Sequence, residues 1–99
     1  MTDTNVLEIA ICTITDSAKA EIARRAAMQA VQNYPGFLSW RALTGHGDRQ
    51  TVADLVEWKD MDSAEKAAAL VRTDPAFAPY MKTIVSVKLM QHFDTTDVI

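Results

Sequence analysis

The sequence predicts an α+β fold of βαββαβ order, in which a four-stranded antiparallel sheet carries two helices on one face. Three observations point to it. Val6–Ile14 is short, β-branched and almost wholly apolar; two stretches place small apolar residues at helical spacing, each ending near a proline; and between them two strand-like runs flank a glycine-rich turn.

The first run reads as a strand buried on both faces, with Leu7, Ile9 and Ile11 on one side and Ala10, Cys12 and Ile14 on the other. Asp16 or Ser17 then caps a helix reaching about residue 33, whose inner stripe is Ala20, Ala23, Ala27, Ala30 and Val31. Glu21, Arg24, Arg25 and Gln32 fall elsewhere on its surface. Pro35, between Asn33 and Gly36, stops the helix. Residues 38–44 and 51–58 form a hairpin around Gly45-His46-Gly47-Asp48-Arg49. Asp62 and Glu65 have capping-box spacing and open a second helix to about residue 73, with Ala64, Ala67, Ala68 and Val71 inward. Asp74-Pro75 interrupts it, and residues 76–81 read as an irregular or helical turn. Residues 85–93 alternate as a last strand. The whole reads as one domain, residues 1–99, with a core at 6–93 and polar termini at 1–5 and 94–99.

Composition narrows the function. Ten Lys and Arg against 13 Asp and Glu give a net charge of −3 with the basic residues scattered, which is no footprint for a nucleic-acid backbone. No basic amphipathic or transmembrane-length segment suggests a membrane, and the start lacks a signal-peptide pattern. Cys12 is the lone cysteine, so neither an internal disulfide nor a multi-cysteine zinc site is available; a cytoplasmic protein is expected. The sheet face away from the helices is apolar and fits the same face of a second copy, so a homodimer is expected.

The hairpin supplies most of the candidate chemistry. If it closes symmetrically, with Thr44 opposite Thr51, then Arg41 faces Asp54 and Phe37 faces Trp58, while Leu38, Trp40, Ala42 and Leu55 take the other side, toward the dimer. Arg41 and Asp54 admit two readings: a guanidinium that orients an anion beside a proton-accepting carboxylate, or a self-satisfied cross-strand ion pair. Trp58 is a ligand wall or core, and Tyr34 and Tyr80 bring polar tips to a pocket mouth or bond locally. His92, on the last strand, is a catalyst or a hydrogen-bonded structural residue. No His, Cys or carboxylate spacing calls for a metal, and Cys12 has no adjacent histidine base. The alanine stripes either pack helices tightly on the sheet or leave room for a ligand.

With these elements in place, the chain resembles the antibiotic biosynthesis monooxygenase-like family of the dimeric α/β-barrel superfamily over residues 6–93. The resemblance rests on the element order, Pro35-Gly36-Phe37 leading into the second strand, Glu57-Trp58 ending the third, and Ser63-Ala64-Glu65 opening a helix that reaches Asp74-Pro75-Ala76-Phe77. It implies a homodimer with a small cavity in each subunit between helices and sheet, Trp58 facing that cavity. It also implies a cofactor-independent monooxygenase that oxidises a small phenolic, quinol or anthrone-type substrate without metal or flavin. On that reading Arg41, Asp54 and His92 are the catalytic candidates, and Phe37, Trp58, Tyr34 and Tyr80 line the substrate. Haem-degrading relatives carry an asparagine on the first strand and a histidine on the second helical segment, where this chain has Ala10 and Tyr80 or Met81. Quinol-oxygenating relatives often carry a histidine on the second helix, where it reads Ala68-Ala69-Leu70. The alternatives are a non-catalytic homodimer that binds a small ligand or a protein, and haem binding.

Overall fold

A computed structural model describes residues 5–99; residues 1–4, where no signal segment was expected, lie outside the described residues. The elements are β1 (Val6–Ile14), α1 (Ser17–Val31), β2 (Phe37–Gly45), β3 (Asp48–Trp58), α2 (Met61–Val71), α3 (Ala78–Thr83) and β4 (Ile84–Asp94). The expected βαββαβ order is present, the irregular segment before the last strand becoming a short third helix. All strand pairs are antiparallel in the order β2-β3-β1-β4, which puts β1 and β3 in the middle and leaves β2 and β4 as edges. No helix among the described residues is long and apolar enough to cross a membrane.

Local chemistry explains the helix ends. The Asp16 carboxylate accepts from the Lys19 amide at 3.1 Å and caps α1. At α2 the cap is Asp60, whose side chain accepts from the Ser63 amide at 2.8 Å, and not the expected Asp62. Asp62 instead lies in the first helical turn and pairs with Lys66 at 3.3 Å, one turn on. An acid followed three residues later by a good amide donor recurs at both positions, and the backbone chose the earlier one because Asp60 is still extended. Gly36, with φ of 79°, turns the chain from α1 into β2; a β-carbon there would overlap the Ser63 side chain. The loop is held from outside as well, because the Tyr34 hydroxyl donates to Asp74 Oδ2 at 2.6 Å.

Both long helices cover one face of the sheet. Val31 of α1 and Ala64 and Ala67 of α2 bury against Val56 and Trp58, and Ala20 buries against Cys12, Ile14 and Val52. The alanines are close-packed: Ala27 and Ala64 are 0% exposed, so the stripes on the inner helix faces leave no room beneath them. Cys12 lies under this layer, where burial raises its thiol pKa. The other face of the sheet carries Leu7, Ile9, Ile11, Leu43 and Leu55, none fully buried and Leu43 exposed, with no helix or strand of the described residues over them.

The hairpin closes differently from the symmetric expectation. Phe37 does face Trp58, but an extra residue in β2 shifts the register between Phe37 and Ser39, so that Trp40 pairs with Val56, Arg41 with Leu55, Ala42 with Asp54 and Thr44 with Val52. A second irregularity lies at the turn, where Gly45 meets Asp48, and the Asp48 carboxylate accepts from the Gln50 amide and the Thr51 hydroxyl at 3.1 and 2.7 Å. One residue of shift reverses the faces: Arg41 goes to the open side of the sheet, and Trp40 and Ala42 come to the helix side.

Candidate functional site

The register shift assembles a buried polar cluster around Asp54, which is 5% exposed. Its Oδ1 accepts from Arg24 Nε at 2.8 Å and from Trp40 Nε1 at 2.9 Å, and its Oδ2 accepts from the Tyr80 hydroxyl at 2.6 Å. One carboxylate thus ties together α1, both strands of the hairpin and α3. Arg24 Nη2 donates to the carbonyls of Leu43 and Ala53 at 3.0 and 3.1 Å, and the guanidinium carbon lies 5.9 Å from the centre of the Tyr80 ring. Burial and the Asp54 charge push the Tyr80 pKa well above that of a free phenol, so Tyr80 stays a proton donor.

Above the cluster, an open groove of about 790 Å³ runs between α1 and the edge strand β2. Phe37, Trp40 and Met28 give it an aromatic and thioether end, while Arg24, Arg25, Arg49, Glu21 and Thr44 give it a polar one. Its size falls in the range that takes a small organic ligand. Phe77 stands behind Trp40 with ring centres 6.4 Å apart and meets Tyr80 edge-on at 6.0 Å, so the aromatic floor is braced.

A second cluster sits at the other end of β1. Glu8 Oε1 accepts from Trp58 Nε1 at 3.1 Å and lies 3.6 Å from His92 Nε2, an atom that is buried with no hydrogen-bond partner among the described residues. Desolvation raises the Glu8 pKa, outweighing the lowering by Trp58 and His92. Glu8 therefore holds its proton to higher pH in the folded chain than in the unfolded one, and its contribution to stability is lost as pH rises through the folded pKa. Glu8→Gln, which keeps an acceptor for Trp58, is expected to raise the melting temperature at about pH 8 and to lose that advantage by about pH 4. Thermal melts of both proteins across this range check it; an advantage independent of pH would contradict the assignment.

The sequence candidates divide accordingly. Asp54 and Tyr80 meet in the central cluster, and Phe37 lines the groove. Arg41 stands opposite Leu55 on the far side of the sheet, so the Arg41–Asp54 pair is not formed, and Arg24 occupies the place expected for it. Trp58 is 2% exposed, meets Phe37 edge-on at 5.8 Å and does not border the groove. Tyr34 bonds to Asp74 away from the groove, its pKa pushed up to about 12 by burial and that carboxylate. His92 pairs with Glu8, not with the Asp54 cluster. Leu55 lies on the open face as expected, whereas Trp40 and Ala42 do not. Arg24, Trp40 and Glu8 are the residues that sequence reasoning passed over. Arg24 had a signal, since Ala20, Arg24, Ala27 and Val31 form one buried stripe, and a cation inside such a stripe demands a buried acid. Glu8 had one too, as the lone acid in an apolar strand.

Solved structures superpose on nearly the whole chain. SnoaB, a cofactor-independent oxygenase from Streptomyces nogalater, in a mutant form, matches with a TM-score of 0.81 at 17% identity, covering 97% of each chain. The chain has the antibiotic biosynthesis monooxygenase fold. Proteins assigned to antibiotic biosynthesis monooxygenases from Chloroflexus aurantiacus and Bordetella bronchiseptica match at 14% and 13% identity with TM-scores of 0.76 and 0.77, covering 96% and 95% of this chain and 96% and 99% of theirs. No protein-family model and no curated sequence matches. Within this monooxygenase fold, the α1–β2 groove is the open space of ligand size that borders the Asp54 cluster.

Proposed function

We infer that this chain is a cofactor-independent oxygenase of a small phenolic, quinol or anthrone-type substrate, bound in the α1–β2 groove. The observation that carries the reading is the Arg24 guanidinium, fixed by Asp54 and by the carbonyls of Leu43 and Ala53 where it borders a groove walled by Phe37 and Trp40. A fixed guanidinium of this kind, donating to the substrate oxygen, favours the phenolate over the phenol, whose proton passes to solvent through the open groove, and the phenolate is the electron-rich form that reduces oxygen. Asp54 keeps the guanidinium in place and, with three donors already on it, acts as an anchor and not as the base. For an anthrone, the balanced reaction converts one ring CH2 to C=O with one oxygen atom of O2, the other leaving as water with both hydrogens. Likeness to SnoaB, a cofactor-independent oxygenase, supports this reading at the level of fold.

The protein acts as a single domain and a homodimer, in the cytoplasm. The uncovered sheet face with Leu7, Ile9, Ile11, Leu43 and Leu55 supports the dimer, because a sheet face this apolar is stabilised by a matching copy.

Oxygen uptake with a panel of anthrones and naphthohydroquinones tests the activity. Turnover is expected in the native protein, and Arg24→Lys, which keeps a cation beside Asp54 but loses the planar guanidinium, should lower it at least about tenfold while the circular-dichroism spectrum stays native. An unchanged rate in the folded variant would remove Arg24 from the mechanism. No turnover across the panel would leave the groove as the site of a non-catalytic binding protein.

A further inference from the structure

We propose that the groove is built for an aromatic acid: a flat ring on Phe37 and Trp40, with a carboxylate carried at the opposite end to Arg25 and Arg49. The proposal deepens the reading of the groove as the substrate site and rests on it.

Charge distribution is the first argument. The chain as a whole is acidic, with 13 Asp and Glu against 10 Lys and Arg. The groove inverts this balance, since three arginines and a single acid, Glu21, border it. Arg24 is already paired with Asp54 at 2.8 Å and shares its charge with that carboxylate. Arg25 and Arg49 have no ion pair or hydrogen-bonded acceptor among the described residues, so two guanidinium forks remain available at the rim of the groove. A guanidinium binds a planar carboxylate through two parallel hydrogen bonds, which a neutral substituent does not reproduce.

Polarity along the groove is the second. Phe37 begins β2 and Arg49 follows the turn at its far end, so the aromatic and cationic ends are separated by the length of the strand. A volume of about 790 Å³ far exceeds a lone inorganic anion and suits a fused-ring acid lying along the strand. Glu21 stands at the cationic end as well, where a smaller pocket bordered by Glu21, Thr44 and Arg49 adjoins the groove. Its charge opposes an incoming carboxylate, so Glu21 limits affinity while the two arginines supply it.

Calorimetric binding of 2-naphthoate and of 2-naphthalenemethanol, its neutral counterpart, tests this without requiring turnover. The acid is expected to bind at least about tenfold more tightly than the alcohol at low salt, and high salt should erase the difference. The preference should fall to near unity in an Arg25→Gln, Arg49→Gln double variant and grow in Glu21→Gln; all three side chains are exposed, so the fold is retained. Equal affinity for acid and alcohol, no binding of either, or a preference that survives the double variant would each overturn the proposal. If the preference survives there and vanishes in Arg24→Lys, the anion site belongs to Arg24 instead. Oxygen uptake is scored separately, so the oxygenase reading can fail while acid selectivity stands, and the reverse.

Discussion

Asp54→Ala is expected to cost about 3–5 kcal/mol of folding stability, the largest single effect in the molecule. The carboxylate is the shared acceptor for Arg24, Trp40 and Tyr80, and Arg24 is 7% exposed, so loss of the carboxylate strands a buried cation, the buried Tyr80 hydroxyl and the half-buried Trp40 indole. Asp54→Asn keeps an oxygen for part of the set but leaves the Arg24 charge uncompensated, and should still lose most of that amount. A double replacement of Arg24 and Asp54 by leucine removes charge and counter-charge together and should be closer to the native stability than Asp54→Ala. Urea denaturation of the three variants measures this. If Asp54→Ala cost less than about 1 kcal/mol, the cluster would not be the anchor that its geometry implies.

Filling the groove should have the largest effect on ligand binding. Ala42 lines the groove from β2 and is exposed, so Ala42→Phe puts a ring into the space without displacing a buried group. Affinity for a naphthalene-sized ligand should weaken at least about tenfold, and any oxygen uptake should fall to below about a tenth, with stability changed by less than about 0.5 kcal/mol. The contrast with Asp54→Ala is diagnostic, because Ala42→Phe removes binding from a stable protein whereas Asp54→Ala removes stability itself. Full binding in Ala42→Phe would place the ligand elsewhere.

Much of the fold was legible because period and punctuation agree. The buried β1 run, the alanine stripe of α1 and the Pro35-Gly36 exit each leave one conformation open, and the structure adopts it. The site was less legible for two physical reasons. Strand parity depends on every residue between the turn and the position in question, so the unread irregularities near Leu38 and Gly45 were enough to exchange Trp40 for Arg41 on the helix side. The partners of Asp54 also come from α1 and α3, thirty residues before it and 26 after, distances over which no local pattern speaks. The Asp60 cap was missed for the opposite reason: two acids two positions apart, Asp60 and Asp62, compete for the same helix start, and only the backbone angles decide between them.

The extra residue in β2 has an evolutionary reach that its size does not suggest. With Phe37 held opposite Trp58, pairing Leu38 with Glu57 and passing the extra residue on to the turn would turn the rest of the strand over, setting Arg41 opposite Asp54 in place of Ala42 and presenting the Trp40 indole to the uncovered face. A lineage built on this scaffold can therefore trade a stacking wall for a cation, and change the face it offers to another copy, by moving one bulge along the strand with no change of length. The position of the bulge in this strand is a route to new ligand preferences that a comparison of aligned sequences would not record.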